Sequence, residues 1–112
     1  SIEREGFVAY ESGDYEKAII SFNKIPFNDR KQYVDFYLAQ SFLNLDQIES
    51  AKQYLKKTLS SESQFGGEAQ WYLALIAIKE KNKEEAIEQL NLLLADFDYN
   101  RNKALELLKK LE

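Results

Sequence analysis

The sequence predicts an all-α chain of antiparallel helix pairs, and three observations carry that prediction. Gly6, Gly13, Ala18, Phe22 and Ile25 are separated by steps of seven, five, four and three residues, and the same steps separate Ala39, Asp46, Ala51, Leu55 and Thr58. They recur a third time at Ala74, Lys81, Ala86, Leu90 and Leu93. The sets repeat after 33 residues (Ala18 to Ala51) and then 35 (Ala51 to Ala86), so length varies in the connections while packing positions hold register. A self-similar period of this size is the mark of a helical repeat array, an architecture built for binding rather than catalysis. Finally, apolar residues recur at helical rather than alternating spacing throughout.

Each element follows from local signals. The first helix runs to about Ser12, where Gly13-Asp14 makes a turn into a second helix from Tyr15 to Ile25, stopped by Pro26. Phe27-Asn28-Asp29 reads as a loop, with Asn28 or Asp29 as N-cap of a helix reaching about Leu45, whose inner face carries Val34, Leu38, Ala39 and Phe42. Asp46 is expected to cap a helix to about Leu59, after which Ser60 to Ser63 form a loop and Gly66-Gly67 open the third pair. From Glu68 to Lys79 the pattern is apolar almost all round, which predicts a helix enclosed by neighbours. Lys81-Asn82-Lys83 is the next tight turn, followed by a helix from Glu84 to Ala95 and a loop from Asp96 to Asn100. The closing helix, Arg101 to Leu111, places Ala104, Leu105, Leu108 and Leu111 inward and Lys103, Glu106, Lys109 and Lys110 outward, the one-sided pattern of a terminal cap. The reading is thus one domain of about seven helices: repeats at about 1–27, 28–61 and 62–96, and a cap at about 98–112.

Small residues recur twelve apart, Gly6 with Ala18, Ala39 with Ala51 and Ala74 with Ala86. Antiparallel helices joined by a short turn bring such positions together, and a larger side chain would push the axes beyond the usual separation of about 8–10 Å. Gly13 supplies a left-handed turn residue without steric cost; Asp46 and Lys81 are expected to do the same less comfortably.

Composition narrows the function. The 112 residues are 45% hydrophobic, enough for a core, and the net charge of −4 argues against a phosphate-binding surface and hence against nucleic acid. Cys and His are both absent, which removes thiolate and imidazole chemistry and most transition-metal sites. Asp96-Phe97-Asp98 sets two carboxylates in a loop but lacks the further ligands and glycine of a calcium loop. No phosphate loop, nucleophile elbow or dinucleotide fingerprint is present, so neither an enzyme nor a cofactor is expected. The longest nearly apolar run, Ala69 to Ile78, is about half of what a bilayer span needs, and no membrane contact by this segment is expected. Met is absent and a helical pattern is already running at Ile2, which leads us to expect sequence upstream of Ser1 and an array finished only at its C-terminal end. Compartment is left open between cytoplasm and periplasm.

Gly13-Asp14-Tyr15-Glu16-Lys17-Ala18-Ile19 with Phe22 resembles the turn and second-helix signature of the tetratricopeptide repeat family. Unit two is similar through Leu38-Ala39, Phe42, Ala51-Lys52 and Leu55, and unit three through Leu73-Ala74, Glu85-Ala86-Ile87 and Leu90. The family's closing Pro is displaced to Pro26 in unit one and missing afterward, and the Trp and Leu-Gly of its first helix are only partly kept. Gln70-Trp71-Tyr72-Leu73-Ala74 and the Lys-Leu-rich last helix are also similar to repeat segments attached to single-span bacterial membrane proteins.

The resemblance implies a right-handed α-solenoid whose first helices line a concave groove for a peptide or partner segment. Residues implied to face that groove are Glu3, Phe7, Tyr10 and Glu11; Tyr33, Phe36, Tyr37, Gln40 and Asn44; and Glu68, Trp71, Leu75, Ile78 and Lys79. Aromatic side chains give large contact area at low entropic cost, so an apolar or aromatic partner is implied, with basic residues meeting Glu3, Glu11 or Glu68. Burial within the array is the competing reading for Trp71, Leu75 and Ile78, and for Phe7, Tyr10 and Tyr33. Family members that clamp the C-terminal carboxylate of heat-shock chaperones use Lys, Asn and Arg on this face, where the chain has Glu3, Phe7, Tyr37, Glu68 and Tyr72. The alternative role is a spacer or homo-oligomerisation domain of a larger, membrane-anchored bacterial protein.

Overall fold

The computed structural model describes residues 1–112 and contains seven α-helices and no strand. In chain order these are α1 (Ile2–Glu11), α2 (Tyr15–Asn23), α3 (Gln32–Asn44), α4 (Ile48–Ser60), α5 (Gly66–Lys79), α6 (Lys83–Asp96) and α7 (Arg101–Leu111), with one 3-10 turn at Phe27–Asp29. Helices α1 and α2, α3 and α4, and α5 and α6 pack as pairs, α2 also packs on α3, and α6 on α7. The chain is all-α and divides into two compact units, Ser1–Ser63 and Gln64–Glu112.

The three hairpins share one backbone device. Gly13, Asp46 and Lys81 all have left-handed backbones, with φ of 79°, 59° and 59°. In each turn two amides reach back to orphaned helix carbonyls: Gly13 N–H to Tyr10 and Asp14 N–H to Ala9, Asp46 N–H to Leu43 and Gln47 N–H to Phe42, Lys81 N–H to Ile78 and Asn82 N–H to Ala77. This is the Schellman arrangement, which closes a helix on a left-handed residue. The residue after it then opens the next helix. Asp14 Oδ1 accepts from the Lys17 amide and Asn82 Oδ1 from the Glu85 amide, both at 3.2 Å.

Several expected boundaries are corrected. Asp46 is not the cap of α4; it is the left-handed turn residue, and Gln47 takes the cap position without a side-chain bond. Asn28 and Asp29 fold into the 3-10 turn, leaving Lys31 as the uncapped start of α3. Helix α2 ends at Asn23 rather than Ile25, because the residue before Pro26 is sterically driven out of helical geometry. In α7, Leu105 is 52% exposed rather than inward; Leu107 packs on the core with Ala104, Leu108 and Leu111 instead. Residues 104, 107, 108 and 111 follow the helical period, and 105 lies about 100° of rotation from 104.

The first unit's core is Ala9, Ala18, Phe22, Ile25, Val34 and Leu38. Gly6 is buried, and what stands against it is Phe22: a Cβ built on it would lie 2.5 Å from the Phe22 ring. Ser41 and Thr58 are also fully buried. Their hydroxyls donate to the carbonyls of Tyr37 and Tyr54, one helical turn back, at 2.8 and 2.9 Å, so each polar group is satisfied within its own helix. The second unit's core is Ala74, Leu90, Leu93, Ala104 and Leu108. Ala104 and Leu108 in α7 repeat the four-residue spacing of Val34 and Leu38 in α3, so the closing helix packs as the first helix of a further repeat would.

Candidate functional site

In the first unit, α1 and α3 lie close enough for their aromatic side chains to meet. The Phe7 ring stands edge-on to Phe22 and to Tyr37, each at a centroid distance of 4.9 Å, and is tilted against Tyr33 at 6.0 Å. Tyr10 meets Tyr37 edge-on at 5.1 Å and Tyr15 at 5.7 Å, while Phe36 meets Tyr37 at 5.8 Å. Edge-to-face geometry sets the positive ring edge against the negative ring face and contributes about 0.5–1.5 kcal/mol per pair beyond area burial. Helical spacing explains the assembly. Phe7 and Tyr10 are three apart on α1, Tyr33 and Tyr37 four apart on α3, so each pair occupies one face.

Five of the residues implied by the sequence are therefore brought together: Phe7, Tyr10, Tyr33, Phe36 and Tyr37. Phe36 is 8% exposed; the other four are half-buried, with part of each ring in the core and part outside it. Gln40 is half-buried, and its Nε2 is sealed from solvent with no acceptor in reach. Asn44 is exposed and donates to the Gln40 carbonyl at 2.8 Å. The Tyr33 hydroxyl donates to Glu3, which ties the start of α3 to the start of α1. That bond, then burial and the neighbouring carboxylate, push the Tyr33 hydroxyl pKa upward.

In the second unit, Trp71, Leu75 and Ile78 on α5 are half-buried and Lys79 is exposed. Trp71 packs on the Ala74–Leu90–Leu108 core. This face has one Trp and aliphatic neighbours where the first unit has an aromatic stripe. Burial first, then the charges of Glu68 and Tyr72, raise the Tyr99 hydroxyl pKa. No group of three or more carboxylates converges as a metal site would require, and no helix is long and apolar enough to cross a membrane.

Three features escaped the sequence reading. The Tyr33–Glu3 bond joins residues thirty apart, with no local signal. Tyr15, read only as a helix start, extends the aromatic stripe through Tyr10. Gly66 and Gly67, read as punctuation, seat the loop before α7: Cβ atoms there would come within 2.7 Å of the Phe97 ring and 2.8 Å of Tyr99 Cβ.

A tetratricopeptide repeat family model matches residues 33–63 and 68–98, which together make up more than half of the chain. The two matches fall on the second and third repeat units and begin 35 residues apart, the period read from Ala51 to Ala86. No curated protein matches the chain. Repeats of this family mediate protein–protein interaction or scaffolding and are generally non-catalytic. With its Schellman-closed hairpins, its recurring small-residue positions and these matches, the chain belongs to the tetratricopeptide repeat family.

Proposed function

We propose that this chain is a protein-interaction module that holds an apolar or aromatic segment of another protein on its first-helix faces, acting as one repeat domain over residues 1–112. The observation that carries the reading is the ring network of α1 and α3. Phe7, Tyr10, Tyr33 and Tyr37 are locked against one another yet remain half-buried, so they offer a rigid contact surface at small entropic cost. Fixed aromatic anchors of this kind carry most of the energy at binding hot spots. Asn44 and Gln40 extend the same helix, and Trp71, Leu75, Ile78 and Lys79 are the corresponding contacts proposed for α5.

The carboxylate of Glu3 sets the polarity: a ligand with basic residues flanking its apolar core fits it better than an acidic one. Selection of linear peptides from a random display library, followed by backbone amide shift mapping, tests this. Selected peptides are expected to share aromatic or aliphatic residues and to shift the amides around Phe7, Tyr10 and Tyr37, and Tyr10→Glu is expected to remove binding while leaving helicity intact. Peptides that shift only residues outside these faces, or that survive Tyr10→Glu, would refute it.

A further inference from the structure

Away from the aromatic stripe, α1 and α2 form a second groove of about 390 Å³, with Arg4, Glu5 and Val8 on one wall and Lys17, Ile20 and Lys24 on the other. Val8 and Ile20 are each 58% exposed, so the floor of this groove is apolar and open to solvent. The rim carries three cations against one carboxylate in a chain whose net charge is −4. None of those cations takes part in an ion pair. An apolar floor with a basic rim fits an acidic amphipathic helix, and the chain contains one. On α6, Glu88, Leu92 and Asp96 follow one another at four-residue steps, a single face of the helix, and all three are exposed. Leu92 is 39% exposed between the two carboxylates.

We infer that the α1–α2 groove receives helix α6 of a second copy of this chain, with Leu92 seated between Val8 and Ile20 and the flanking Glu88 and Asp96 facing Lys17, Lys24 and Arg4. The contact joins two different surfaces, so it is head-to-tail and every copy has one α1–α2 groove and one α6 face to offer. Exposed charge pairs are screened by salt, which makes the association weaken as ionic strength rises. It uses none of the aromatic stripe and stands or falls apart from peptide binding there.

Light scattering and sedimentation of the whole chain from roughly 10 µM to 1 mM, at low and high salt, read the contact directly. The expected result is mass that grows with concentration and falls with salt. Ile20→Glu and Leu92→Glu, both at exposed positions and checked for unchanged helicity, are each expected to weaken self-association at least about tenfold. Mixed one to one, the two variants are expected to stop at a dimer containing one of each, since the mixture holds one intact groove and one intact α6 face per pair. A wild-type chain that stays monomeric over the whole range, self-association that either variant leaves unchanged, or a mixture that stays monomeric would each overturn the inference.

Discussion

The α1–α2 hairpin of the first compact unit and the α5–α6 hairpin of the second solve the same packing problem with different residues. Where the α5–α6 hairpin sets Ala74 and Leu90 at the template positions and the α3–α4 hairpin sets Ala39 and Leu55, the α1–α2 hairpin sets Gly6 and Phe22, and all six are buried. The first unit has transferred volume from one helix to the other: a methyl is missing from α1 where a ring of α2 presses on the backbone, with no room for a Cβ at 2.5 Å. The second unit uses the same exchange elsewhere, in Gly66 and Gly67 beneath Phe97 and Tyr99. What the repeat holds constant is the summed volume across a contact and the register that brings its parts together. Close-packed interiors demand that, since a single methylene in excess must displace something.

Gly6→Ala tests this comparison most sharply. Phe22 is fully buried and cannot yield, so calorimetry or denaturant unfolding should show a loss of about 2–3 kcal/mol. Adding Phe22→Leu recreates the alanine–leucine pair of the other repeats, and a double-mutant cycle should return a favourable coupling of about 1–3 kcal/mol. Additive losses would show that the two positions do not compensate each other.

The glycines of the second unit should differ from one another. Gly67→Ala meets Tyr99 Cβ, an atom fixed to the backbone, and should cost about 1–3 kcal/mol. Gly66→Ala meets the far edge of the Phe97 ring, which is only half-buried and can turn aside, so its effect should be the smaller of the two in the same unfolding measurement. Equal losses would mean that ring mobility does not decide the cost.

The turns give a smaller contrast. Lys81 holds a φ of 59° where Gly13 holds 79°. A left-handed backbone costs a residue with a Cβ about 1–2 kcal/mol, so Lys81→Gly should raise the melting temperature by a few degrees and Gly13→Ala should lower it, although nothing stands within 4 Å of a Cβ at Gly13.

The least effect is expected at Asp35. Burial raises its carboxyl pKa above the ordinary 3.8, an effect that the charges of Arg30 and Lys57 only partly offset. The native state therefore holds this proton more tightly than the unfolded chain. Stability from this group is greatest below pH 3.8, declines as pH rises through the native value and stays lower at neutral pH. Asp35→Asn should remove that slope from unfolding curves taken between pH 3 and 7 and add less than about 1 kcal/mol at pH 7, the group being partly solvated. A slope unchanged by the substitution would assign the acid dependence to other carboxylates.

Periodicity made the helices legible, because template positions must be apolar or small wherever helices touch. Every hairpin was placed to within a few residues, and the turn roles of Gly13, Asp46 and Lys81 followed from position alone. Caps were harder. Asp46 is a good cap residue and also tolerates a left-handed backbone, and the Schellman geometry claims it for the second use. Leu105 was misplaced because an apolar side chain carries no mark of the face it occupies when a neighbour such as Leu107 competes for the core. Of the candidate site, helix spacing revealed which aromatics share a face. It could not reveal that Tyr33 bonds Glu3, or that Gly66 and Gly67 seat Phe97 and Tyr99, since those contacts join residues about thirty apart.

The missing methyl at Gly6 also has a bearing on ancestry. An aromatic at position 22 is tolerable only beside glycine at position 6, and alanine at position 6 only beside an aliphatic at 22, so neither residue can drift alone without passing through a damaged intermediate. Among homologues these two columns should change in concert, sixteen residues apart, and the pairing should be visible as covariation even where each column alone looks variable.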